Sequence, residues 1–124
     1  MVTWNEYLKG LFQKTLKSHT VLSELKDRPG DLDIIKKELL KINGFFNVAI
    51  TKLESGNYQS KNLTDLKPRL EEYLNTYYFE KEIDTLTPLY SEDPSRLRNL
   101  RLKILESLED KKLMNRIQNA IEDL

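Results

Sequence analysis

The chain has no cysteine. That excludes disulfide cross-links, zinc–thiolate centres and thiol nucleophiles, and it fits a reducing compartment. There is one histidine, and no partner motif accompanies it, so no catalytic constellation is recognisable. Net charge is lacking too: 20 basic side chains balance 20 acidic ones. A sequence-independent DNA binder usually carries a basic excess, so balance argues against that class while leaving room for a local patch. No apolar run approaches the ~18 residues of a membrane span. The first residues, Met1 to Glu6, lack the basic start and apolar core of a secretory signal. The expectation is a cytoplasmic protein without membrane contact.

What is present is amphipathic periodicity. At 124 residues, with 39% hydrophobic and 32% charged side chains, the chain has room for one globular domain, 1–124. Leu32, Ile35, Leu39, Ile42, Phe46, Ala49 and Leu53 form an unbroken 3-4-3-4 ladder, the signature of one helical stripe. A second ladder precedes it: Trp4, Leu8, Leu11, Thr15, Ser18, Leu22 and Leu25. With Arg28-Pro29-Gly30 between them, the two predict a helical hairpin over about 4–26 and 31–54. The fold class is all-α, a four- or five-helix bundle, mostly antiparallel.

Local signals refine this. Thr3 and Glu6 have capping-box spacing, and Asp31 is the expected N-cap of the second helix. Ser55-Gly56-Asn57 stops that helix. Gly44 lies inside it, opposite the ladder, and predicts close packing of another helix. Phe45, Val48 and Ile50 add apolar surface around it, so this half should be the most buried element. Thr64 is the expected cap of a third helix, with Pro68 in its first turn. Its stripe is Leu66, Leu70, Tyr73 and Tyr77. The apolar face then rotates to Phe79, Ile83, Leu86 and Tyr90, which demands a kink or a change of partner near Tyr78. Pro88 should end that helix. Ser91-Glu92-Asp93-Pro94 starts the next, with Asp93 as N-cap and Pro94 in the first position.

Leu97, Leu100, Ile104, Leu105 and Leu108 line one face of this last segment. Leu113, Met114, Ile117, Ala120, Ile121 and Leu124 would lie roughly opposite on a continuous helix. Either the chain breaks near Asp110 into a further helix, or the C-terminal stripe binds a partner.

Three groups of residues are candidates for function. Tyr78, off the third stripe, with Leu113, Met114, Ile117 and Ile121, forms the expected partner-binding set, the partner being another protein or a second copy. Arg96, Arg98, Arg101 and Lys103 form a run without an intervening acid, with Lys61, Lys67 and Arg69 as possible neighbours. They carry the alternative reading, a small subunit binding RNA or single-stranded DNA. Against that reading, they radiate around a helix, and Arg101 falls within the apolar stripe. Chemistry is the weakest reading. His19 flanks the first ladder, and Glu80 and Asp84 share a helix face, the arrangement by which two carboxylates hold Mg²⁺. Ordinary solvated side chains explain both. No nucleophile elbow, phosphate-cradling glycine loop or metalloprotease helix motif appears. The expectation is therefore a non-enzymatic interaction module, an adaptor, inhibitor or assembly subunit, with no cofactor and no metal.

Overall fold

Each ladder becomes a helix. In the computed structural model, which describes residues 3–56, 58–90 and 92–124, α1 spans Trp4–Glu24 and α2 spans Asp31–Ser55. The capping box forms: Glu6 N donates to Thr3 Oγ1 (3.1 Å) and Thr3 N to Glu6 Oε2 (3.4 Å). The two helices pack together as the hairpin that their apolar stripes require. Thr15 is fully buried on the α1 stripe, and its hydroxyl is satisfied by Leu11 O (2.9 Å). The first rung departs from expectation, because Trp4 stays 65% exposed.

Asp31 does not cap α2. Gly30 does, at φ +93°, in a left-handed conformation that costs glycine nothing because it has no Cβ. Asp31 becomes the first helical residue, and its carboxylate accepts from Arg28 N (2.9 Å). The helix then runs unbroken past Gly44. No helix packs there. A Cβ built on Gly44 would find nothing within 4 Å, and Val48 beside it is exposed. The second half of α2 therefore has one buried face, not an apolar surround.

α3 spans Lys61–Thr76 with Ser60 as its N-cap, so it starts before Thr64 and carries Pro68 in its interior. Leu63 explains the earlier start: it is buried with Leu66, Leu70 and Tyr73, extending the stripe by one rung. An interior proline removes one backbone bond and costs about 3 kcal/mol. Pro68 and Thr64 both lie on the exposed side, where water can satisfy the orphaned carbonyl. After Tyr77 the chain leaves the helix, and α4 spans Glu80–Tyr90. This is the kink that the rotated stripe required. α4 runs through Pro88 instead of ending before it, with Thr87 Oγ1 donating to Ile83 O (2.7 Å).

α5 spans Pro94–Glu109. Asp93 caps it, its Oδ1 accepting from Ser95 N (3.0 Å) and Arg96 N (3.2 Å). Ser91 and Asn57, which belong to the start and stop signals above, lie outside the described residues. A 3₁₀ turn, Asp110–Lys112, breaks the chain before α6, Leu113–Glu122. Lys111 (φ 51°) and Lys112 (φ 59°) are both left-handed there, which swings α6 back onto α1 and α3. The all-α bundle is as expected, and counting α3 and α4 as one kinked helix makes it five-membered.

One core joins α1, α2, α3, α5 and α6, filled by Leu8, Phe12, Ile35, Ile42, Phe46, Leu70, Leu97, Ile104 and Ile117 among others. α4 contributes only Ile83 to the fully buried set. Among the described residues, no helix is long and apolar enough to cross a membrane.

Candidate interaction surfaces

The C-terminal stripe is covered by the chain itself. Leu113, Ile117, Ala120 and Ile121 are buried in the core, and Met114 packs half-buried against it. The break at Lys111–Lys112 is the cause: it turns the second apolar set inward instead of leaving it on the far side of one long helix. Leu113, Met114, Ile117 and Ile121 therefore do not offer a free surface. Tyr78 is different. It sits in the extended link between α3 and α4 and is 71% exposed.

The basic run on α5 is largely consumed by ion pairs. Arg101 makes a two-pronged contact with Asp27, Nε to Oδ1 at 2.8 Å and Nη2 to Oδ2 at 3.1 Å, with both side chains 12% exposed. The Asp27 carboxylate holds the guanidinium pKa above its usual value. Asp27 adopts φ 60°, a left-handed conformation that short polar side chains tolerate better than most. Lys103 Nζ lies 2.8 Å from Glu82 on α4. Arg96 lies 3.8 Å from Asp93, with its guanidinium 3.7 Å from the centre of the Tyr90 ring. Lys67 and Arg69 pair with Glu71 and Glu72 on their own helix. Arg98 points to solvent on the face away from Leu97 and Leu100.

The tyrosines of α3 join the core. Tyr73 is buried against Phe46, ring centres 5.2 Å apart and nearly perpendicular. Burial pushes its phenol pKa up to about 12. The Ser107 hydroxyl beside it favours ionisation but donates to Ile104 O (2.6 Å), and the Tyr73 oxygen makes no well-formed hydrogen bond. The space around it is about 20 Å³, which is room for one water. Tyr77 stacks on Phe79 and donates to Asp110 Oδ2 (3.1 Å), which ties the α3–α4 link to the 3₁₀ turn.

The candidate chemical groups are dispersed. His19 Nε2 lies 3.3 Å from Glu109 Oε1 on α5. Glu80 and Asp84 line a shallow cleft with Lys36, and Glu82 turns to Lys103. Among the described residues, no three His, Asp or Glu side chains are placed to share a metal ion.

A different surface emerges on the outside of the α1–α2 hairpin. Leu40, Gly44, Val48 and Lys52 recur every fourth residue and so form one row along α2. Leu40 and Val48 are exposed, and Gly44 opens a gap between them. At the end of the row, Lys52 Nζ sits 3.8 Å from the centre of the Trp4 ring and 5.9 Å from that of Tyr7. Trp4 and Tyr7 meet edge to face, 6.4 Å apart, and both are exposed. Beside Trp4 opens a cleft of about 570 Å³, lined in part by Lys52, Tyr58 and Leu63.

Sequence reading missed this band because it placed Trp4 on the core ladder and gave Gly44 an intrachain neighbour. The signal was present, however. Leu40, Gly44 and Val48 stand opposite Leu39, Ile42 and Phe46, and a second apolar row on a helix needs its own cover.

No family, curated protein or solved structure matches this chain.

Proposed function

We propose that this protein is a non-enzymatic, cytoplasmic protein–protein interaction module that binds its partner through the outer face of the α1–α2 hairpin. The observation that carries the reading is the band Leu40–Gly44–Val48 ending in Trp4 and Tyr7. Scattered single apolar side chains on a surface need no explanation, whereas two exposed aliphatic residues flanking an open glycine, in a row that leads through Lys52 to an exposed tryptophan, support an interaction site. Tryptophan and tyrosine are the residues most enriched where binding energy concentrates. Tyr78, on the α3–α4 link, is a second exposed aromatic that supports the same class of function.

The nucleic-acid alternative draws less support. Phosphate contacts need cations free to replace counterions, and Arg96, Arg101 and Lys103 each face a carboxylate of this chain.

The test is affinity capture from native lysate, with and without nuclease, using the wild-type chain and Val48→Glu. Val48 is an exposed helix position, so the variant should keep its far-UV circular dichroism. A stoichiometric protein recovered by the wild type in both arms, and lost with Val48→Glu, is the expected result. Recovery that disappears with nuclease would transfer the function to the α5 cations.

A further inference from the structure

We propose that the occupant of the α1–α2 face is an acidic amphipathic helix from another protein, lying along the row Leu40–Gly44–Val48 with its carboxylates toward Lys37 and Lys41. This rests on the interaction reading above and adds the chemistry of the partner.

Shape is the first argument. α2 is unbroken from Asp31 to Ser55, so the row is one continuous i,i+4 ridge, inclined to the helix axis. From Leu40 to Lys52 it covers about 18 Å at the helical rise, roughly three turns of a partner helix. Gly44 is the low point of the ridge, with open space where its Cβ would be. A partner's leucine or methionine set over Gly44 would rest between Leu40 and Val48, as ridges-into-grooves packing requires. Glycine in a helix interior costs about 1 kcal/mol relative to alanine, and no packing among the described residues offsets that cost. A docked side chain supplies the missing reason.

Charge selects the occupant. Lys36, Lys37 and Lys41 are exposed along this half of α2, whose one exposed carboxylate between positions 33 and 52 is Asp33; Glu80 and Asp84 of α4 share a cleft with Lys36 and Leu40, which leaves Lys37 and Lys41 as the basic edge. Glu38 is buried and engages Lys41 (3.3 Å). The face is thus apolar along its centre and basic along the Lys37–Lys41 edge. A helix with glutamates flanking an apolar stripe complements both features. A second copy of this chain would bring the same lysines and no surplus of acid. At the far end, Trp4 and Tyr7 provide large apolar area at low entropic cost.

The test uses two synthetic helical peptides without tryptophan, identical along a Leu/Met/Ala stripe, one with glutamate and one with lysine at the remaining positions. Each is titrated into the full chain. Binding is read from the emission of Trp4, the sole tryptophan, and from amide shift mapping. The glutamate peptide should bind at least about ten-fold tighter than the lysine peptide, and the gap should narrow at high salt. Shifts should concentrate on residues 34–52. Gly44→Leu, at a site with no intrachain neighbour, should keep the circular dichroism of the fold and weaken the glutamate peptide about ten-fold by filling the gap.

Equal affinity for the two peptides, or shifts centred elsewhere, would overturn the proposal. If neither peptide binds and sedimentation shows a dimer that Gly44→Leu dissolves, the occupant is a second copy. The proposal then fails while the interaction reading stands. If neither peptide binds, the chain is monomeric and Val48→Glu leaves lysate capture unchanged, both fail.

Discussion

Gly44→Ala should make this protein more stable, although none of the described residues touches the added methyl. Gly44 lies in the middle of a 25-residue helix, exposed, with no atom within 4 Å of an ideal Cβ. The substitution therefore loses no contact and creates no clash. What remains is backbone entropy, since glycine has more freedom to lose in the unfolded chain, about 0.8–1.0 kcal/mol relative to alanine in a helix interior. Unfolding entropy near the midpoint is about 2.1 cal/mol/K per residue, so for a chain of this length about 1 kcal/mol is a rise of about 4 °C in Tm. Scanning calorimetry at several concentrations of the isolated protein reads this directly. Two glycines calibrate the experiment. Gly10 is also helical and open, so Gly10→Ala should give a similar gain. Gly30 caps α2 at φ +93°, so Gly30→Ala should instead lower stability by about 1 kcal/mol. A Tm unchanged or lowered by Gly44→Ala, with the two controls behaving as stated, would mean that another surface already covers this face in solution.

Further outcomes follow from the buried groups. Tyr73 has its pKa raised to about 12 by burial, against about 10 in an unfolded chain. The folded state therefore holds the proton more tightly. Stability present below pH 10 is lost as pH rises toward 12, with a slope of about 1.4 kcal/mol per pH unit from this one group. Tyr73→Phe should remove that contribution from a chemical-denaturation series run between pH 9 and 12. At pH 7 it should be neutral or slightly stabilising, because the hydroxyl it deletes has no hydrogen-bond partner; a clear loss at pH 7 would show that the hydroxyl is bonded, through a water for example. Arg101→Ala strands Asp27 at the edge of the core and should cost about 2 kcal/mol by urea titration, less than the 3–5 kcal/mol of a fully buried pair because water reaches the site. Ile117 has no exposed surface, so Ile117→Asp should abolish the cooperative fold, a buried carboxylate without a partner costing several kcal/mol. A variant that stayed fully helical and lost only a binding partner would return α6 to the surface.

The helix ladders were legible because burial on one face leaves a periodic trace in the residues themselves. Leu8, Leu11, Ile35, Ile42 and Phe46 are buried where their spacing places them. The signals at Thr3–Glu6 and Asp93–Pro94 were legible for a related reason: each is a short-range bond between side chain and backbone, complete within four residues. The prolines misled. Pro68 and Pro88 sit inside α3 and α4, since tertiary burial of Leu63, Leu66, Leu70 and Ile83 outweighs one lost backbone bond. The turn into α6 was half legible. Two apolar sets on opposed sides required a break, but the left-handed residues that make it are Lys111 and Lys112, with no glycine or asparagine to announce the conformation.

The candidate site was harder to read because periodicity says which residues share a face and not what covers that face. The second apolar set at 113–121 and the second row on α2 look alike in sequence, each being an apolar surface in excess of one core. Which one is covered depends on the path of the chain. The turn at Lys111–Lys112 lays α6 against α1 and α3, so its leucine and isoleucines close the core. α4 follows a three-residue link and packs beside α2 and α5 with Ile83 as its single fully buried residue, so it adds little cover. α4 borders the Leu40 end of the outer row, across a cleft lined by Lys36, Leu40, Glu80 and Asp84, and among the described residues nothing covers Gly44, while Val48 stays exposed. An exposed glycine between two exposed aliphatic residues is then a position where the chain gives up helix stability without recovering it in its own fold. Partner-blocking substitutions therefore belong on α2, at Gly44 and Val48, and those on α6 report only on folding.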